Sequence, residues 1–95
     1  MPAGFVYIMA SKRDGTLYIG VTSDMPKRMQ EHREGRGSQF VRDHRVVMLV
    51  YAEAFDNPTD AIAAEKRIKR WRRAWKIALI EKSNPEWRDL SDSIH

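Results

Sequence analysis

No cysteine occurs among the 95 residues, so a disulfide framework, a thiolate nucleophile and a cysteine-ligated metal are all excluded. Long apolar runs are missing as well. The longest, residues 46–52 and 5–10, fall far short of the roughly 20 residues that span a bilayer. No signal-peptide pattern opens the chain, and a cytoplasmic protein without a membrane partner is the simplest expectation. Glycine is scarce, with five in all. The one inside a strand-like stretch, Gly20 in "YIGVT", therefore asks for a reason, because glycine weakens a strand and offers no side chain to pack.

Negative charge is absent from one segment. Between Lys66 and Lys76 lie seven basic residues and no acid, which leaves ten basic against thirteen acidic residues elsewhere. The net charge of +4 thus belongs to one stretch, and such a stripe favours a polyanionic partner over a merely solvated helix face. What remains is ordinary for a folded protein. A hydrophobic content of 42% and a charged content of 32% describe a globular chain. Its length suits one domain over residues 1–95, with a core over about 4–82 and a tail over 83–95.

Residues 5–10 and 17–22 are rich in β-branched and aromatic residues and flank "SKRDGT". Asp14-Gly15 is a turn dipeptide, so the pair reads as a β-hairpin. A register that sets Tyr7 directly opposite Tyr18 brings both phenols out on one face, whereas a one-residue slip sends one of them to the other side. The connection of six residues leaves that choice open.

"TSDMPKRMQEHREG" reads as a helix capped by Ser23 or Asp24, with Pro26 in its first turn and Gly35 as its stop. Met25 and Met29 share the core face, and Arg28 and His32, again four apart, share a neighbouring stripe. A short helical turn is expected over residues 38–44. "VVMLVYAEAF", residues 46–55, starts almost continuously apolar, which predicts a central strand covered on both faces. Asn57 or Thr59 then caps a long helix expected to reach about Glu81. Its stripe of Ala61, Ala64, Ile68, Trp71, Trp75 and Leu79 predicts burial of both tryptophans, and Glu65 falls at the margin of that stripe. Trp87, beyond the turn at Asn84-Pro85, is expected to fold back onto the body. The order β-β-α-(α)-β-α gives a small α/β (α+β) domain whose three-stranded, largely antiparallel sheet is flanked by helices.

Singly, these residues have plain explanations. Buried tyrosines are usually core residues, Arg28 and His32 suit a surface, and Glu65 has Lys69 as a helical partner four residues on. In order they are specific. "VYI" at 6–8, "YIG" at 18–20, "KRMQEH" at 27–32, "AEKRIKRW" at 64–71 and then Asn84 together resemble the GIY-YIG nuclease superfamily over nearly the whole chain. The likeness is nearest to the small stand-alone bacterial branch (YhbQ/YazA-like), which ends in a segment similar to "NPEWRDL".

That resemblance implies a metal-dependent endonuclease. Tyr7 and Tyr18 take the places of the two motif tyrosines on a shared face, and Gly20 keeps the backbone open beside them. Arg28 takes the place of the helix arginine, and Glu65 that of the glutamate that binds Mg²⁺ or Mn²⁺. His32 matches a further polar position, with Asn84 and Lys27 as support. Lys66, Lys69, Arg70, Arg73 and Lys76 are the expected nucleic-acid contacts, with DNA favoured over RNA.

Phosphodiester hydrolysis needs a base for the attacking water, and Tyr7 is preferred over His32. A phenol near pKa ~10 must then be lowered by its surroundings, while an imidazole is better suited as it stands. Two departures matter. The leading glycine of the first motif is replaced by Val6, and Phe40 stands in "GSQF" where relatives often place a tyrosine. No separate DNA-targeting domain accompanies these motifs, so weak sequence specificity or a protein partner that supplies it is expected. A monomer is the default, and repair or recombination would suit such an activity. The alternative is a nucleic-acid-binding module that keeps the fold with little catalysis.

Overall fold

The computed structural model describes residues 2–93. Strand β1 spans Gly4–Ala10 and β2 spans Leu17–Thr22, paired antiparallel with Tyr7 opposite Gly20 and Met9 opposite Tyr18. The turn between them closes through Gly15 N–H donating to Lys12 O at 2.9 Å, with Asp14 in the left-handed region at φ 58°. Aspartate tolerates that conformation because its short polar side chain bonds locally. Strand β3, Met48–Phe55, joins the other side of β1, again antiparallel, so the sheet order is β2-β1-β3.

This corrects one expectation. The central strand is β1, and β3 is an edge. Two features produce the misleading apolar run. A bulge between Ile8 and Met9 of β1 leaves Val50 as an extra residue on β3, so Val50 and Tyr51 both face the same core. The tail then covers the outer edge at that point: Asn84 Nδ2 donates to Val50 O at 3.1 Å, and Leu49 N donates to Asp89 Oδ1 at 3.1 Å. Further along, Ala52, Glu53 and Ala54 are exposed, as an edge strand allows.

Helix α1 is Met25–Arg33. Asp24 caps it by accepting from Lys27 N, Pro26 lies in the first turn, and Gly35 at φ 77° follows its end. Helix α2 is the short piece Gln39–Asp43. Helix α3 is Pro58–Arg70, capped by Asn57, whose Oδ1 accepts from Asp60 N at 2.8 Å.

The long helix predicted to reach Glu81 does not exist as one piece. It breaks at Trp71 and Arg72, both extended, and restarts as α4, Arg73–Ser83. No glycine or proline marks the break, so local propensity gave no warning. Tertiary contacts account for it. The redirected helix puts Ile80 into the same core as Ile68, and Arg73 donates to the carbonyls of Asp14 and Gly15, both at 2.6 Å. The break also overturns the burial predicted for Trp75, which is 53% exposed, while Trp71 stays partly buried.

Alternation along β1 divides the interior into two halves. Val6, Ile8 and Ala10 face α3 and α4, packing with Ala61, Ala64, Ile68, Ile80 and Trp87. Tyr7 and Met9 face α1 and α2, packing with Met25, Met29, Val41 and Leu49. Trp87 folds back as expected: it is buried, and its Nε1 donates to Glu81 Oε2 at 2.8 Å. A 3-10 turn at Leu90–Ser93 ends the described chain. No helix among the described residues is long and apolar enough to cross a membrane.

Candidate active site

Tyr7 is the centre of the α1 side of the sheet. Its ring is 1% exposed and lies across the backbone of Gly20, its partner on β2. A Cβ on Gly20 would stand 2.5 Å from Tyr7 Oη and 2.9 Å from Cε1. This is the reason for a glycine in that strand: any side chain there would occupy the phenol's place. Tyr18 is not directly opposite Tyr7 but two pairs further along. An offset of two residues preserves the face, and the two ring centroids are 6.2 Å apart.

His32, from the last turn of α1, completes the group. Its Nε2 is 2.9 Å from Tyr7 Oη, and its ring meets Tyr18 edge-on at 5.8 Å. Gly37 backs the imidazole as Gly20 backs the phenol, since a Cβ there would lie 2.7 Å from His32 Cε1. The sequence reading missed Gly37. Its signal was available in "GRGS", where a second glycine follows the one that stops α1.

Burial pushes the His32 pKa down, and the charge of Arg28 pushes the same way, so the imidazole is held neutral. Burial pushes the Tyr7 phenol up; Tyr18 adds to this, and Arg28 opposes it only in part. The preference for Tyr7 as an unaided base therefore loses its chemical footing. With the imidazole proton on Nδ1, Tyr7 O–H donates to a neutral Nε2, and the two rings act as one proton-handling pair.

Arg28 lies one turn before His32 and pairs with Glu31, Nε to Oε1 at 3.6 Å. Its Nε is buried without a hydrogen-bond partner among the described residues. An orphaned, permanently charged donor next to a tyrosine pair is suited to an anion. Arg28 also lines a cleft of about 300 Å³ with Thr22, Ser23, Pro58 and Ala61, which opens from the α1 side toward α3. Lys27 is exposed beside it.

Phe40 extends the aromatic group outward, stacked at 6.0 Å on Tyr18 and at 4.1 Å on His44, with 41% of its surface exposed.

Glu65 comes from a different element, α3, whose core stripe packs on the opposite half of the sheet, and no hydrogen bond among the described residues joins it to Tyr7, Tyr18 or His32; the cleft that Arg28 lines does reach Ala61 and Ile62 of the same helix. Glu65 is buried, and its carboxylate pairs with Lys69 Nζ. Among the described residues no group of three or more His, Cys, Asp or Glu could enclose a metal. The donor set fits only a hard cation that takes one carboxylate and completes its shell with water and phosphate oxygens, as Mg²⁺ does. Lys69, with about half of its side chain exposed, is the carboxylate's counterion.

Asn84 is not brought to the tyrosines. Besides Val50 O, its amide bonds Arg88 O at 2.9 Å and accepts from Arg88 N at 3.0 Å, so its work is to hold the tail. Of the basic residues, Lys66, Lys69, Arg70 and Arg73 are exposed and Lys76 is partly buried; Arg73 is engaged with the hairpin turn.

Residues 3–78 match the profile of the GIY-YIG catalytic domain. A UPF0213 protein of Syntrophus aciditrophicus is 40% identical over 87 residues, covering 90% of this chain and 98% of the relative. One from Staphylococcus saprophyticus is 39% identical, with 84% of this chain and 96% of that one covered. The solution structure of a UPF0213 protein from Bacillus halodurans superposes with a TM-score of 0.58 at 27% identity, covering 94% of each chain.

Proposed function

Because this chain belongs to the GIY-YIG catalytic domain family and to the bacterial UPF0213 proteins, we propose that it is a divalent-metal-dependent endonuclease acting on nucleic acid, DNA before RNA. The observation that carries the reading is the hydrogen bond between Tyr7 Oη and His32 Nε2 at 2.9 Å, made inside a buried pair. A purely structural tyrosine is served equally well by a backbone carbonyl. This one is wired to the single kind of side chain whose ordinary pKa lies near neutrality.

Arg28 binds a non-bridging phosphate oxygen through its free donors and stabilises the charge that grows there. Tyr18 and Tyr7 flank the phosphate and fix the attacking water. As the water oxygen bonds to phosphorus, its proton passes to Tyr7 Oη while the phenolic proton passes to His32 Nε2, so Tyr7 is never a free phenolate. The P–O3′ bond breaks, the 3′ oxygen takes a proton from solvent, and the imidazolium, next to Arg28, returns its proton readily. Glu65 would hold Mg²⁺ or Mn²⁺, which when bound neutralises charge on the phosphate and the leaving oxygen. Weak sequence specificity follows from a site built on backbone chemistry, and a repair or recombination role with a protein partner suits it.

The test is cleavage of labelled single-stranded, duplex, flap and branched DNA with Mg²⁺ or Mn²⁺, against EDTA and Glu65→Ala controls. The expected result is cutting that is lost in both controls, with the variant still folded. Cutting at the wild-type rate by Glu65→Ala would sink the assignment. One observation favours a second reading, binding without catalysis: the ring between Tyr18 and His44 is Phe40, which carries no hydroxyl. That reading gains if no substrate is cut and Phe40→Tyr restores cutting.

A further inference from the structure

The break between α3 and α4 exposes an indole in the middle of the basic stretch. Trp75 is 53% exposed, whereas Trp87 is buried and Trp71 partly so. Arg72 holds its guanidinium 5.2 Å from the Trp75 centroid on one side, and Trp71 meets the ring edge-on at 6.2 Å. Around this elbow, Lys66, Arg67, Arg70 and Arg72 are exposed and make no ion pair among the described residues. An apolar partner would have to desolvate those cations without compensation, whereas a polyanion neutralises them.

The elbow is also joined to the hairpin. The two bonds from Arg73 to Asp14 O and Gly15 O fix it against the turn, which carries the exposed cations Lys12 and Arg13. Tyr18 is the second residue of β2, so at about 3.3 Å per strand residue the turn begins roughly 10 Å from it. The hairpin thus joins the strand that carries Tyr18 to the elbow.

We infer that this elbow is a second nucleic-acid contact, where Trp75 stacks on an unpaired base of the strand that leaves the tyrosine face around Lys12 and Arg13. The inference rests on the nuclease reading for the identity of the strand, but not for its test. Stacking on an indole face requires a base whose own face is free, which a continuous duplex does not offer and a single strand, flap or gap does. Arg72 steadies the ring, more than half of Trp75's surface stays exposed to receive a base, and the unpaired cations hold the phosphates. The substrate class is therefore nucleic acid with an unpaired segment flanking the cut.

The experiment is a fluorescence titration of the whole chain in EDTA, so that nothing is cut, with an unpaired oligothymidylate and with a duplex of equal length. Wild type is expected to show quenching by the single strand. Trp75→Ala is expected to lose most of that quenching and to bind the single strand at least roughly five-fold more weakly, given the measured worth of base stacking. Its affinity for duplex is expected to change by less than two-fold. Trp75→Phe keeps a ring and is expected to retain most of the affinity. Unchanged single-strand affinity in Trp75→Ala overturns the inference, and so does an equal loss on both nucleic acids. If the elbow binds as described while no substrate is ever cleaved, the nuclease reading falls and the elbow stands.

Discussion

Replacing Gly20 with alanine tests the geometry on which the site depends. The new methyl would stand 2.5 Å from Tyr7 Oη and 2.9 Å from Cε1, where carbon contacts settle at about 3.5–4.0 Å. The phenol cannot step aside cheaply. Its ring is packed in the core, its oxygen is held by His32, and His32 is itself pressed against Gly37.

Overpacking of this kind costs about 1–3 kcal/mol, and loss of the Tyr7–His32 hydrogen bond adds about 1 kcal/mol. Relief of the glycine's entropy cost returns about 0.5–1 kcal/mol. The net is a destabilisation of roughly 2 kcal/mol, which in a domain of this size lowers Tm by about 8–16 °C. Thermal unfolding followed by circular dichroism reads it directly. The same substitution in a Tyr7→Ala background has no ring to strike and is expected to be neutral or slightly stabilising. That difference is a coupling of about 2–3 kcal/mol in a double-mutant cycle. An unchanged or higher Tm for Gly20→Ala alone, or additive effects in the cycle, would refute the argument that this glycine exists to seat the phenol.

Two other outcomes are expected. His32 has its pKa lowered by burial and by Arg28, so between that folded value and about 6.5 the unfolded chain binds the extra proton. Stability is then full above pH ~6.5 and falls as pH drops through the window. Urea midpoints at pH 5 and pH 7.5 should differ in wild type and converge in His32→Gln, and cleavage should decline over the same acid limb. Asn84→Ala removes one hydrogen bond that ties the tail to β3 and two that fold the tail onto itself at Arg88. A loss of about 2–3 kcal/mol is expected, read as a lower urea midpoint. A shift under half that size would show the tail is held chiefly by Trp87.

Most of the fold was legible in the sequence because its signals are local. Asp14-Gly15, the Asp24 cap with Pro26, and the Asn57 cap each carry their own chemistry within a few residues, and the structure has hairpin, helix and helix at those places. What misled was determined at a distance. Nothing within "RIKRWRRAW" stops a helix; the break there follows from contacts with the hairpin turn and the far core. The apolar start of β3 reflected a bulge and a covering tail rather than two neighbouring strands.

The site divides in the same way. Four-residue spacing set Arg28 beside His32, whereas the face shared by Tyr7 and Tyr18 hung on a hairpin register that the six-residue connection left open. That Tyr7 and His32 form one buried pair depends on two glycines whose role is visible only as missing volume. Glu65 fell at the stripe margin as its helical angle implies, and it is buried there. Asn84 was read as a turn residue and a support of the site, and its engagement with β3 required the tail to be in place.

The tail has a consequence of a different kind. An edge strand with free backbone groups is a template on which another copy of the same chain can add itself. Here Asp89 and Asn84 occupy the outward N–H of Leu49 and the outward carbonyl of Val50, so residues beyond the family match, which ends at 78, stand in for a fourth strand. A chain cut after residue 82 would bare that edge and lose Trp87 from the core. Its first symptom would then be strands from separate molecules zipping together.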